Sequence, residues 1–267
     1  RLVGSEMCIR DSVTLSSEIP AGKPAAEKSA EDGTGESQPL YMSLNHVMEY
    51  YIFAYYFQPA TEVRCTDIPY GEYYRTYGQL ALSMQKYNGA KKAYERAIAW
   101  NPVDLDAYLG LAEVYKYQNQ REKYLTVTKQ AYRYCCTRAT MARYYRNMAF
   151  YYLSGYEPET ARACYQYSNV YYHTENADSE LKYISEAIQQ ETPQTDIRAI
   201  QKLFDEKQIE PGPDSQTIGI VYKVGEILLK DGDYKLAKDC YSIVYDITQD
   251  ASAEKLLNEL EAAIAGN

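Results

Sequence analysis

The sequence predicts an all-α chain built from repeated antiparallel helix pairs, and three observations carry that reading. Helix formers dominate, while Gly (14) and Pro (10) are modest in number. Aromatic and small residues recur at a spacing of 34, with Tyr74 matched by Tyr108, Gly78 by Ala112 and Ala97 by Ala131. There are 31 Tyr against 4 Phe and 1 Trp, so one residue type supplies most of the aromatic packing surface. A recurrence of this length is what stacked two-helix units produce, because neither helix of a pair can bury its apolar face alone.

Composition narrows the function classes. A 267-residue chain that is 46 % hydrophobic can bury a sizeable core in one or two domains. A net charge of −9 makes nucleic acid a poor partner, since phosphate backbones attract basic surfaces. No membrane span is expected, because the longest candidate run, Tyr50 to Phe57, is far too short. The six cysteines (Cys8, Cys65, Cys135, Cys136, Cys164, Cys240) form no C-x-x-C pair, and Cys135 and Cys136 are adjacent, a poor geometry for a disulfide. They read as reduced thiols, mostly buried on helices, in a cytoplasmic protein.

The elements follow in order. Residues 1–12 contain Glu6-Met7-Cys8-Ile9-Arg10-Asp11, which resembles one reading frame of a transposon end used in sequencing libraries; they are set aside, and the natural start of the chain is hidden. Residues 13–39, rich in Ser, Gly, Pro, Ala and Glu, read as a disordered linker because they hold too little apolar surface to offset ordering entropy. Residues 40–70 read as an N-terminal capping helix over 40–57 followed by a loop. The repeat array is expected over 71–251. Repeat one (about 71–104) places Tyr74, Gly78, Ala90, Tyr94 and Ala97 as packing residues and ends at Pro102, which lacks an N–H and clashes with the preceding turn. Repeat two (105–138) keeps Tyr108, Leu111, Ala112, Tyr115 and Ala131 but carries Tyr124 and Cys136 where Ala and Pro are expected, so its second helix should be displaced or longer. Repeat three (142–175) follows a three-residue insertion and restores Tyr145, Ala149, Tyr152, Ala161, Tyr165 and Ser168, with an inter-helix turn from Gly155 to Pro158. A degenerate hairpin is expected over 176–212, with helices near 178–191 and 195–208, before Pro211-Gly212-Pro213 breaks the chain. A last repeat (218–251) carries Val221, Gly225, Leu228, Ala237 and Tyr241, turning at Asp231-Gly232-Asp233. Residues 252–267 should form a capping helix with Leu256, Leu257, Leu260 and Ile264 on one face.

This pattern (aromatic, small residue, Tyr, then Ala, aromatic, Ala, Pro) resembles the tetratricopeptide repeat. The resemblance covers about 71–251. It implies a right-handed superhelical solenoid of antiparallel helix pairs, with N- and C-terminal capping helices and a concave groove lined by the first helices. It implies no single activity. A non-catalytic scaffold that binds a partner peptide or protein in that groove is the expected function. The alternative is a regulatory region of a larger protein whose effector domain lies upstream. The oligomeric state is left open.

No catalytic, cofactor or metal site is expected. His46 and His173 stand in no H-E-x-x-H, and G-x-S-x-G, P-loop and G-x-G-x-x-G patterns are absent from the sequence. Charge gives the sharper pointer. Between Lys116 and Arg146 lie Lys116, Arg121, Lys123, Lys129, Arg133, Arg138, Arg143 and Arg146, opposed in sequence only by Glu122. Arg143 and Arg146 are three apart and so share a helix face. By position in the repeat, Arg75, Gln79, Glu113, Lys116, Arg143, Arg146 and Phe150 are the candidate partner-binding residues. The resemblance also implies a possible carboxylate clamp of the co-chaperone type, but Gln79 and Gly110 stand where that clamp would want Asn. An acidic segment of a partner protein remains the expected ligand, since Arg binds carboxylates bidentately. In the tyrosine pairs 73–74, 144–145, 151–152 and 171–172, one ring of each should be core and the other free to reach the rim.

Overall fold

A computed structural model describes residues 39–265, and the readings of 1–12 and of almost all of 13–39 lie outside them. The described residues form twelve helices and one two-stranded parallel sheet. The chain divides into two compact units, residues up to Gln120 and residues from Arg121 onward.

The first unit holds β1 (Leu40–Met42), α1 (Val47–Phe57), β2 (Val63–Cys65), α2 (Tyr70–Ser83), α3 (Tyr87–Trp100) and α4 (Leu105–Tyr117). Helices α2 and α3 form a tight pair, and α4 packs on α3. Tyr94 of α3 organises this packing. Its ring fills the space beside two glycines, so that a Cβ at Gly78 would lie 2.9 Å from the ring and one at Gly110 only 2.3 Å. Gly110 is therefore a close-approach residue between α4 and α3, and no asparagine fits there. Tyr74, Ala90, Ala97, Tyr108, Ala112 and Tyr115 are all buried. Pro102 follows the end of α3, and its carbonyl accepts from the Tyr108 hydroxyl at 3.0 Å.

The N-terminal end differs from a single helix over 40–57. Leu40–Met42 is a strand that pairs with Val63–Cys65, and helix begins only at Val47. The reason is a polar junction with the end of α3. Ser43 N–H donates to Trp100 O at 2.9 Å, Gly71 N–H donates to Ser43 Oγ at 3.0 Å, and Glu49 Oε2 accepts from Asn45 N (2.6 Å) and Asn101 Nδ2 (2.7 Å). Helical geometry at 43–45 would forfeit these bonds.

The second unit holds α5 (Arg121–Tyr132), α6 (Arg138–Ser154), α7 (Pro158–Tyr171), α8 (Glu175–Ile188), α9 (Ile197–Lys207), α10 (Ser215–Lys230), α11 (Tyr234–Thr248) and α12 (Ala251–Ala265). The pairs α6/α7 and α10/α11 pack closely, α5 lies on α6, and α12 lies on α11. Tyr145, Ala149, Tyr152, Ala161, Tyr165, Ala237, Tyr241 and Ala131 are buried. Gly225 again meets a tyrosine, with a Cβ there 3.0 Å from the Tyr241 ring.

Four expectations change here. Of the two outcomes expected for the second helix of repeat two, displaced or longer, the longer one fails: α5 has 12 residues against 14 in α3. Tyr94, Tyr165 and Tyr241 each stand 16 residues after a small residue; Thr128 holds that place after Ala112. The aromatic role moves to Tyr124, which is buried and donates its hydroxyl to Asn147 O at 3.1 Å. Residues 176–212 do not close as a hairpin either. Residues 190–196 are neither helix nor strand, and α9 lies on α7 rather than pairing closely with α8. Phe204 is the cause, stacking on Tyr145 and meeting Tyr167 edge-on. In α12, Ala253 and Leu260 are buried, Leu256 and Leu257 are half-buried, and Ile264 is exposed. Cys135 and Cys136 lie in the connection between α5 and α6 rather than on a helix. The five described cysteines are all free thiols.

Two stability changes follow. Gly110→Ala should destabilise the chain by about 1–3 kcal/mol through overpacking against Tyr94, read by urea denaturation. Thr128→Val should stabilise it by about 1 kcal/mol, because the Thr128 hydroxyl is buried without a hydrogen-bond partner and Val keeps its shape. Burial raises the pKa of Glu49 above its ordinary value, against the lowering effect of its bonds from Asn45 and Asn101. A raised folded-state pKa contributes stability below the unfolded value that is lost as pH rises through the folded one. Glu49→Gln keeps an oxygen for both short bonds, so its melting temperature should fall less than that of the unaltered chain as pH rises above the ordinary carboxylate range. An unchanged slope in thermal melts over that rise would contradict this.

Candidate partner-binding site

Helix α6 is fixed at both ends. Thr137 caps its start in a reciprocal box with Thr140, whose amide donates to Thr137 Oγ1 at 3.2 Å while Thr137 N–H donates to Thr140 Oγ1 at 3.0 Å. Gly155 follows its last turn, where a Cβ would strike the Arg121 guanidinium. Arg143, Arg146 and Phe150, at spacings of three and four, run along one side of α6 and are each half-buried.

The basic residues of 116–146 have different surroundings. Arg121 lies over the Tyr151 ring at 3.9 Å, donates to Tyr151 O and pairs with Glu122 at 3.2 Å. Arg138 covers the C-terminal end of α7, donating from Nε to Tyr171 O and from Nη2 to Val170 O, both at 2.9 Å. That is where a cation is favoured by the exposed carbonyls of a helix end. The Arg138 backbone amide donates to Asp246 Oδ2 at 2.8 Å, so an acid 108 positions away enters a stretch that in sequence is opposed only by Glu122. Arg143 and Arg146 have no carboxylate partner among the described residues. Burial, and then the Arg143 charge, lower the pKa of Arg146 from its ordinary value. Its Nη1 makes one long bond, 3.4 Å, to Tyr172 O. Phe150 sets its ring edge-on to Tyr124 at 5.4 Å.

The remaining candidates lie in the first unit. Arg75 is engaged internally. Its Nη1 reaches both oxygens of Asp104 (3.0 and 3.2 Å), and Asp104 is 2 % exposed and caps α4 by accepting from Ala107 N–H. Arg75 therefore neutralises a buried capping carboxylate, a structural duty its repeat position did not reveal. Gln79 and Lys116 are exposed, and Glu113 is half-buried.

The expectation that one tyrosine of each pair would be free fails at 144–145. Both rings are fully buried, whereas Tyr73 and Tyr172 are exposed beside buried Tyr74 and half-buried Tyr171. They belong to a cradle that sequence reasoning missed. Tyr144 donates to Glu210 Oε2 at 2.9 Å, Tyr145 to Glu210 O at 2.8 Å, Tyr132 to Gly212 O at 2.9 Å, and Tyr167 to Pro211 O. Gln201 Nε2 donates in turn to the Tyr167 hydroxyl at 3.1 Å. Burial pushes the Tyr144, Tyr145 and Tyr132 phenols far above their usual pKa, so all three remain protonated donors. The signal available in sequence was the Pro-Gly-Pro break: its prolines have no N–H, and its carbonyls need outside donors.

No family model matches the chain, and no curated protein matches it. Among solved structures it is similar to a chain in the crystal structure of an APC/C hetero-tetramer, Cut9–Hcn1, at 13 % identity and a TM-score of 0.41, over 72 % of this chain and 36 % of that one. The chain thus spans about a third of that neighbour, and a likeness of this strength carries no weight for function. None of the described helices is long and apolar enough to cross a membrane.

Tyr145→Phe isolates one bond of the cradle. It keeps the ring and leaves the Glu210 carbonyl unpaired, which should cost about 1–3 kcal/mol in chemical denaturation. A loss below a few tenths would mean that this hydroxyl does not hold the segment.

Proposed function

We propose that this chain is a non-catalytic protein-interaction scaffold and that the Arg143–Arg146–Phe150 side of α6 receives an acidic segment of a partner protein. One observation carries the reading: two guanidinium groups three residues apart face no carboxylate among the described residues, on a helix held rigid at both ends. Like charges kept together cost free energy, and a carboxylate supplied by a partner offsets that cost with charge-assisted, bidentate bonds. Phe150 adds an apolar edge one turn beyond Arg146, which suits a segment that alternates acidic and apolar residues. Capture by the groove of a helical repeat array, in the cytoplasm, is part of the same proposal.

The test is affinity capture with the full chain, titrated with salt. Arg143→Ala with Arg146→Ala should weaken capture about tenfold at about 0.15 M salt and flatten its salt dependence, because rim charges act mainly through screened attraction. Capture that is unchanged in strength and in salt slope would sink the assignment of this face.

A further inference from the structure

Helix α1 is apolar on both sides, and the chain uses only one of them. Its 11 residues, Val47–Phe57, hold a single charged group, Glu49, which accepts from Asn45 and Asn101. Ile52 and Phe53 are its buried residues. At about 100° per residue, Val47, Tyr50, Tyr51, Ala54 and Tyr55 fall on the opposite side. None of these five is buried, and Tyr50 and Tyr55 are 37 % and 48 % exposed. A surface helix ordinarily turns a polar face to water, and a helix apolar all round is ordinarily covered on every side.

Charge points to what covers it. Between Glu49 and Glu62 there is no Asp, Glu, Lys or Arg, in a chain of net charge −9. Two copies of so acidic a chain repel where their charged surfaces come within the screening length, about 10 Å at 0.1 M salt. They meet at least cost where neither brings a charge. A partner of opposite charge finds no group here to hold. Tyrosines, in contrast, suit their own kind. Their rings pack edge-on, as Tyr50–Tyr51 and Tyr55–Tyr56 do within this helix, and each hydroxyl both donates and accepts. Val47, Tyr51 and Tyr55 form one ridge at a spacing of four, with Tyr50 and Ala54 in the row beside it. Two such faces related by a two-fold axis set the ridge of each copy into the shallower row of the other. Ala54 then supplies the small residue that a tyrosine ring needs opposite it.

Area sets the strength. An aromatic side chain offers about 150–250 Å². Tyr50, Tyr55 and Phe57, the last 46 % exposed, together with half-buried Val47, Tyr51 and Ala54, therefore present on the order of 400 Å² per copy. A stable specific interface takes about 800 Å² per partner. The area matches a contact that forms and dissociates with concentration.

We propose that the outward face of α1, centred on Tyr51 and Ala54, is a self-association surface through which two copies of this chain form a weak, reversible dimer. This surface belongs to the first unit and needs neither the arginines of α6 nor an acidic partner.

Sedimentation velocity of the full chain between about 1 μM and about 100 μM, where weak interfaces form, should show the mean mass rising towards twice that of one chain. Tyr50→Glu with Ala54→Glu should move the midpoint of that rise at least about tenfold higher in concentration, because like charges then meet across the contact. Tyr50→Lys with Ala54→Lys should do the same. An equimolar mixture of the two variants should associate at least as well as the unaltered chain, which only contact of this face with itself produces. A chain that stays monomeric throughout overturns the proposal and leaves the face to a different protein. Association that none of the substitutions changes overturns it as well. Should circular dichroism show the variants unfolded, hydrogen exchange of the unaltered chain decides the matter: slower exchange at the amides of 47–57 at high than at low concentration supports the dimer, and equal exchange overturns it. Arg143→Ala with Arg146→Ala should leave the rise in mass untouched, so failure of this face and failure of the arginine face are separate results.

Discussion

A tyrosine ring set against a residue with little or no side chain is the contact on which the helix pairs depend. Tyr94 lies against Gly78 within its own pair and against Gly110 on the next helix, and Tyr241 lies against Gly225 in the same way. A ring of that size can enter a two-helix interface only where the facing residue is small, as at Gly78, Gly110 and Gly225. The small residue and the ring therefore form one unit, and their fixed separation of 16 gives the chain its rhythm. Where the ring is missing, as at Thr128, a neighbouring tyrosine takes over and the helix shortens. The rest of the architecture arranges these contacts along the chain.

That dependence explains what could be read from sequence. Period, helix pairing and most buried positions follow from local spacing, so Tyr74, Ala90, Ala97, Ala149, Ala161 and Ala237 could be placed without coordinates. The misses share a physical cause, long-range polar bonding. The strand at Leu40–Met42 depends on a partner 23 residues on, and the junction at Ser43 depends on Trp100 and Gly71. The burial of both Tyr144 and Tyr145 depends on Glu210, and the placement of α9 depends on Phe204 reaching Tyr145. No periodicity records such pairings. Gly110 is a different case: as a missing asparagine it carried a doubt about function, and as a space for Tyr94 it has a plain packing duty.

Charge was the least legible property. The basic stretch was counted along the chain, but folding brings Asp246 to Arg138 and commits Arg75 to Asp104. Arg143 and Arg146 stand three apart on one helix, with their long side chains partly withdrawn from water. The cradle and the arginine side both use α6, and they differ in kind. One reads backbone oxygens through neutral donors and should be nearly indifferent to salt, while the other acts through net charge.

The segment 209–213 also bears on how the second unit comes to be folded. In a simple repeat array each hairpin needs only its neighbours, and folding can start anywhere and spread. Here the hydroxyls of α5, α6 and α7 close on carbonyls up to 80 positions later, and the first amide of α6 waits for a carboxylate 108 positions away. Such closures slow folding, because loop entropy is lost before the contact returns it. On a ribosome, helix 138–154 would emerge well before the residues that complete its surroundings, with several of its tyrosine hydroxyls still bonded to water. The second unit then completes its packing only after residues 209–246 have been made, and deleting those residues would unsettle helices far upstream of the cut.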